Sequence, residues 1–323
     1  MGNVYRGARS ASGLSFMLIV IAAATWGSEG FLRSRLALEL PSGTIVMGEH
    51  VILVLLTLPW LIRALPVTKS FSRRDWVSLL LIGAGASALA TVLFTQAFAY
   101  DDPTTPVLLQ KLQPVFAIIG AALLLGERLL PRFGLYFLAA IGGAWLITFP
   151  EPTKVSISAL TPAAFALVAA GLWGLGTVLG RHLTAKVEFS SLTALRFAAG
   201  LPATILIVLV QDQGAAISTV GGRDAFALLV LALVPGLLAL LLYYRGLRET
   251  PASAATLAEL AFPLSAITIN YIALEAQLVR SQWIGIAVLS LAMVAMGLAA
   301  TRGSRAIGVK LPPAVVRDEP ARA

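Results

Sequence analysis

Apolar residues fall into ten long blocks, at approximately 13–31, 43–62, 76–98, 104–125, 133–149, 160–180, 190–210, 225–244, 252–273 and 282–300. The short segments between them hold charges, prolines and glycines. Each block is close to the ~20 residues that a helix needs to cross the hydrocarbon core of a bilayer. Barrel strands would be about half as long and would alternate apolar with polar positions, which these blocks do not. The pattern predicts an all-α integral membrane protein with ten transmembrane helices. The first block follows Arg6 and Arg9, but it is too long for a signal-peptide core, and Trp26-Gly27-Ser28-Glu29 is a poor cleavage site. It reads as a retained helix.

The second half of the chain repeats the first. Pro103, Lys111, Glu127 and Arg132 have counterparts 148 residues later in Pro251, Glu259, Glu275 and Arg280, and apolar residues match as well, Leu109 with Leu257 and Ile119 with Ile267. Trp26-Gly27 returns as Trp173-Gly174 and Pro114 as Pro263, each one residue out of that register in opposite directions. Such slips are what an old duplication leaves. Five helices per half is an odd number, so the second half enters the membrane upside down relative to the first. This inverted-repeat plan places a substrate site near the midplane, where the repeats meet. The expected organisation is an inner N-terminal tail over 1–12, a first repeat over 13–149, a linker over 150–159, a second repeat over 160–300 and an inner disordered tail over 301–323.

Composition agrees with a membrane and removes other classes. Hydrophobic residues make up 58% and charged residues 12%, about half the charged share of a soluble domain. The net charge of +8 does not point to nucleic acid, because the basic residues lie between the apolar blocks and in the tails and form no basic face on a soluble module. With the N-terminus inside, 17 lysines and arginines fall in inner segments and 5 in outer loops. The positive-inside bias therefore puts both termini in the cytoplasm. There are no cysteines, so disulfides and thiolate metal sites are excluded.

Leu112-Gln113-Pro114-Val115-Phe116 leading into Leu125-Gly126-Glu127-Arg128-Leu129, together with the Trp-Gly of each half's first helix, resembles the EamA-like family of the drug/metabolite transporter superfamily. The resemblance spans roughly residues 13 to 300. In the second half Glu275 stands where Glu127 does, but Leu274 and Ala276 replace the flanking Gly126 and Arg128. The resemblance implies a secondary transporter or facilitator of small metabolites in the plasma membrane of a bacterium. It further implies alternating access and the export of amino acids or related compounds. Multidrug or nucleotide-sugar transport on the same fold, or a non-transporting scaffold or sensor, are the alternatives.

Charges inside the apolar blocks are the first candidates for function, because burying them in lipid is costly. Lys111 in the fourth helix and Glu259 in the ninth are each followed within four residues by a proline, Pro114 or Pro263. Such a proline frees a carbonyl and is tolerated where the backbone lines a cavity. The two charges either face a central cavity, contacting substrate or carrying a proton, or pair across the repeat interface. Their backbones differ in depth by about 9 Å at ~1.5 Å per residue, which suits the two ends of a zwitterion. Trp26 and Trp173 are candidate cavity walls, with packing as the other reading. Gln96, Gln110, Gln113 and Asn270 could hydrogen-bond substrate or one another.

The remaining polar residues suggest structural roles. Glu29 and Arg33, four residues apart, read as a solvated salt bridge at the outer rim. Glu49-His50 is no chelating pair, since adjacent helix positions point ~100° apart. His50 reads as a hydrogen-bonded interior or lipid-edge residue, with proton carriage as its functional alternative. Arg196 can snorkel to the headgroups, and Tyr243-Tyr244 and Trp76 read as interfacial anchors. Glu127 and Glu275, at helix C-termini, read as structural acids bonded to a neighbouring helix start or to Arg132 and Arg280. Asp102 and Thr250 read as N-caps. Gly83-Ala84-Gly85-Ala86-Ser87-Ala88 and the glycines of the sixth helix suit close helix packing. Nucleophile-elbow, zinc-protease and P-loop motifs are missing from the sequence, which disfavours an intramembrane enzyme or a self-contained pump. The expected partners are a small-molecule substrate, the bilayer and protons, with no cofactor or metal.

Overall fold

The computed structural model describes residues 4–100, 104–125, 132–149, 151–153, 157–183, 186–247, 261–274 and 278–306, and every regular element among them is helical. In the first half these are α1 (Val4–Trp26), α2 (Glu29–Glu39), α3 (Ser42–Thr68), α4 (Arg73–Leu80), a π-helical segment π1 (Leu81–Leu89), α5 (Ala90–Ala97), α6 (Thr104–Leu109), α7 (Gln113–Leu125) and α8 (Phe133–Thr148). In the second half they are α9 (Ile157–Leu183), α10 (Phe189–Val210), α11 (Gly222–Leu231), π2 (Ala232–Leu238), α12 (Ala239–Leu247), α13 (Ala261–Leu274) and α14 (Arg280–Ala306). Five helical stretches among the described residues are long and apolar enough to cross a membrane, and Val115–Leu124 and Phe133–Thr148 are shorter apolar helices.

Three boundaries differ from the sequence reading. The first block is two helices, broken by a turn at Gly27-Ser28, and the second of them runs on to Glu39. The equivalent α9 passes through Trp173-Gly174 unbroken. At the ends, α1 begins at Val4 inside the expected tail, and α14 continues to Ala306, beyond the expected start of the C-terminal tail.

The two halves interlock by exchanging equivalent helices. Helix α3 packs on α10, and Gly43 lies by Ile207 while Gly200 lies by His50, so the two run antiparallel. Helices α8 and α14 also cross antiparallel, at Gly143 and Gly285. A Cβ on Gly143 would lie 2.9 Å from Gly285 O, and one on Gly285 would lie 2.7 Å from Gly143 O. Close approach of this kind holds helices together where lipid removes the hydrophobic drive between them. The crossing is pinned by Gln282 Nε2, which donates to Ile147 O at 3.2 Å. Helix α1 leaves its own half to pack on α12 and α13, and α9 packs in the same way on α5, π1 and α7.

The third helix of each half widens into a π-helical stretch, and the two stretches overlap when the halves are superposed by the repeat offset. In π2 the cause is legible. Pro235 has no N–H to give Leu231 O, and a wider register, seen where Ala239 N–H reaches Val234 O, relieves that break. The fourth helix deals with its proline differently. Pro114 has no N–H for Gln110 O, so the chain tightens into a 3₁₀ turn over Gln110–Leu112, and Gln113 N–H takes that carbonyl instead.

Candidate functional site

The repeated Trp-Gly marks where each first helix crosses the fourth helix of the other half. A Cβ on Gly27 would lie 2.8 Å from Ala266 N, and a Cβ on Gly174 would lie 2.9 Å from Ala117 N. Ala117 and Ala266 are themselves repeat equivalents, 149 residues apart. Glycine is therefore required twice for one reason: the two backbones touch, and no side chain fits between them.

The tryptophans beside these glycines border one cluster. Ala23, Ala90, Phe94, Phe98, Val107, Ala169, Phe262 and Ala266 form its buried centre, with Trp26 and Trp173 packed against it from opposite halves. Trp173 meets Phe94 edge-on at 5.1 Å between ring centroids, and Trp26 lies 5.1 Å from Tyr243. The sequence reading of Tyr243 as an interfacial anchor is thus corrected, since its ring packs inside against Trp26. Aromatic side chains from both halves line this junction, and each half also offers a carbonyl nearby. Trp26 Nε1 donates to Pro235 O of π2 at 3.0 Å, and an Arg196 nitrogen donates to Ala86 O of π1 at 3.5 Å. Ala86 and Pro235 stand 149 residues apart, so equivalent π-helical carbonyls each accept a bond from the opposite half. This corrects the expected snorkelling of Arg196, which is spent on a neighbouring helix and not on headgroups.

Of the other polar candidates from the sequence, Gln96, Gln110 and Gln113 have described side chains. Gln96 accepts a bond from Ser42 Oγ at 2.9 Å. Gln110 lies in the 3₁₀ turn, with its side-chain oxygen buried and without a hydrogen-bond partner among the described residues. Gln113 presents its backbone carbonyl to Gly174. Lys111 lies in the same 3₁₀ turn, Pro114 is the second residue of α7, and Pro263 and Asn270 lie in α13. The side chains of these four residues, together with Glu259, Glu127, Glu275, Asp102 and Thr250, lie outside what the structure describes. Arg132 is exposed, in a left-handed conformation just before α8.

The Glu29–Arg33 pair is not a solvated rim bridge. Arg33 is only 2% exposed; its Nε donates to Glu29 at 2.7 Å, and its terminal nitrogens donate to Thr95 Oγ1 at 2.8 Å and to Glu49 at 3.0 Å. The i, i+4 spacing pointed to one partner, but the tertiary fold supplies two more and removes the water. His50 is interior as expected. One ring nitrogen contacts Val46 O at 2.9 Å and the other Ser87 Oγ of π1 at 3.1 Å.

Sequence reasoning missed one further cluster. Asp75, fully buried, caps the start of α4 through Ser72 and meets Lys186 Nζ at 2.6 Å and His182 Nε2 at 2.8 Å, both from the second half. Ser72-x-x-Asp75 is a readable capping signal, but its partners over 100 residues away are not.

The sequence model of the EamA-like transporter family matches this chain twice, over residues 13–149 and 160–298. The chain belongs to the EamA-like transporter family. As an EamA-like transporter it is an integral membrane protein that moves small metabolites. It is 30% identical over 267 residues to the riboflavin transporter ImpX of Fusobacterium nucleatum, covering 79% of this chain and 88% of that one. It is also 25% identical over 206 residues to a riboflavin transporter of Brucella anthropi, covering 64% and 69%. A solved crystal structure superposes on this EamA-like chain with a TM-score of 0.60, covering 94% of it and 99% of the other at 17% identity, and so shares its fold.

Proposed function

We propose that this chain carries riboflavin, or a planar heteroaromatic metabolite like it, through the junction between its halves. The observation that carries the reading is the convergence of Trp26 and Trp173, one from each half, on a single aromatic cluster at that junction. Flat rings stack on such side chains, each pair worth about 0.5–1.5 kcal/mol beyond burial. The names of the two relatives agree with it. The buried oxygen of Gln110 is a suitable acceptor for a ring N–H.

In the same reading the chain spans the bilayer ten times as two inverted five-helix repeats, with both termini in the cytoplasm of a bacterium. The antiparallel crossings of α3 with α10 and α8 with α14 support it, since equivalent helices running in opposite senses are related by an axis in the membrane plane. Export of amino acids, with Lys111 and Glu259 holding the two ends of a zwitterion, is the second reading. It rests on the duplicated position of those charges.

The test is uptake of labelled riboflavin and of an amino-acid panel into proteoliposomes, with and without a pH gradient, for the wild type and Trp173→Ala. Saturable riboflavin transport with a KM raised roughly tenfold in the variant, equivalent to about 1.4 kcal/mol, supports the proposal. Amino-acid transport that Lys111→Gln with Glu259→Gln abolishes, without riboflavin transport, replaces it by the second reading.

A further inference from the structure

Two apolar clusters join residues of the two halves, and they are built from equivalent positions. One gathers Leu79, Ile82, Leu183, Val187 and Leu192, with Ala64 and Leu195. The other gathers Leu228, Leu231, Leu36, Leu40 and Ile45. Leu228 and Leu231 follow Leu79 and Ile82 by 149 residues, and Leu183, Val187 and Leu192 follow Leu36, Leu40 and Ile45 by 147. Each cluster joins the start of one half's third helix to the end of the other half's first. They lie at opposite ends of α3, which contributes Ile45 to one and Ala64 to the other, about 28 Å apart at 1.5 Å per residue.

The charges over the two clusters are not equivalent. At one end Asp75, 0% exposed, is held by Lys186 and His182, which are 41% and 26% exposed. By the repeat offsets the corresponding residues at the other end are Asp224, Glu39 and Arg35. Glu39 carries the same charge as Asp224 and cannot bridge to it. The Arg35 guanidinium instead lies 4.6 Å over the Phe31 ring, and Asp224 accepts from Gly221 N–H of its own helix start at 3.0 Å. One end is thus clasped across the halves by charge, whereas among the described residues no ion pair clasps its counterpart, where a single neutral bond from Thr44 Oγ1 to Gln213 O at 3.5 Å accompanies the apolar contact.

We propose that the two clusters are the gates of the transport route and that Asp75, with Lys186 and His182, is a latch that makes its gate the harder one to open. The proposal rests on the reading that substrate crosses between the halves, but not on which substrate it is. Opening at the Asp75 end separates α4 from the end of α9, so the carboxylate must exchange both partners for water. Opening at the Asp224 end breaks no such ion pair among the described residues.

The chain has no cysteine of its own, so single cysteines report alone. Leu183→Cys and Leu36→Cys place equivalent probes in the two gates, and their rates of reaction with a thiol reagent are measured in purified protein. Faster labelling of Leu36→Cys is expected. Adding His182→Gln and Lys186→Gln leaves the Ser72–Asp75 cap intact and should raise Leu183→Cys labelling severalfold, with Leu36→Cys unchanged or slower. His182→Gln with Lys186→Arg should restore slow labelling. An unchanged Leu183→Cys rate, or a parallel rise at both probes, overturns the latch, the latter because it marks general loosening. Riboflavin transport by the wild-type protein is assayed in parallel. If riboflavin is not carried while the labelling pattern holds, the gates stand and the substrate falls.

Discussion

Gly174 rests on the backbone of Ala117: a Cβ added there would come within 2.9 Å of Ala117 N and equally close to Gln113 O. Gly27 makes the equivalent contact with Ala266. Gly174→Ala should therefore destabilise the protein by about 1–3 kcal/mol, the usual cost of overpacking, with Gly27→Ala alike. Gly180→Ala in the same helix meets nothing within 4 Å and should be neutral or slightly stabilising. Thermal unfolding in one detergent compares the three directly. Equal behaviour of Gly174→Ala and Gly180→Ala would contradict the crossing.

Arg33→Met leaves the buried Glu49 carboxylate without its guanidinium, whereas Glu49→Leu leaves Arg33 still paired with Glu29 at 2.7 Å. Arg33→Met alone should therefore cost about 3–5 kcal/mol and Glu49→Leu alone less, and the double replacement should cost less than the two together. A double-mutant cycle on unfolding temperature measures the difference. Additive losses would mean that the pair is solvated after all.

Trp26→Phe keeps an aromatic ring beside Tyr243 but leaves Pro235 O without the Nε1 donor. The loss should be about 0.5–1.5 kcal/mol of stability, with substrate transport impaired by more than that small loss explains if π2 moves during the cycle. Paired measurements of melting temperature and transport rate check it.

Ser87→Ala removes the hydroxyl that meets His50 at 3.1 Å. A buried ring nitrogen left without its partner should cost about 1–3 kcal/mol. His50→Phe with Ser87→Ala should recover part of that by removing the unsatisfied group, as read from thermal unfolding.

Much of this protein was legible in one dimension. The lengths of the apolar blocks, the scarcity of charge and the recurrence at 148 residues gave a helical membrane protein in two halves, because hydrocarbon thickness and backbone satisfaction constrain a spanning chain more tightly than water constrains a soluble one. The repeated Trp-Gly was also visible, though not the reason for it, which is a contact between backbones in different halves. Local chemistry explains the 3₁₀ turn before Pro114, since a missing N–H four residues from Gln110 O can be read directly from the sequence. What only the tertiary structure decided are the meetings across long separations. Glu49 and Thr95 reach Arg33 from 16 and 62 residues away, and Lys186 reaches Asp75 from 111. Sequence spacing encodes which residues share a helix face but not which faces meet. The burial of Arg33, the exchange of first helices between halves and the unequal ends of the junction were therefore set by packing, where a neighbour's shape and charge, and the exclusion of water between them, determine what each side chain does.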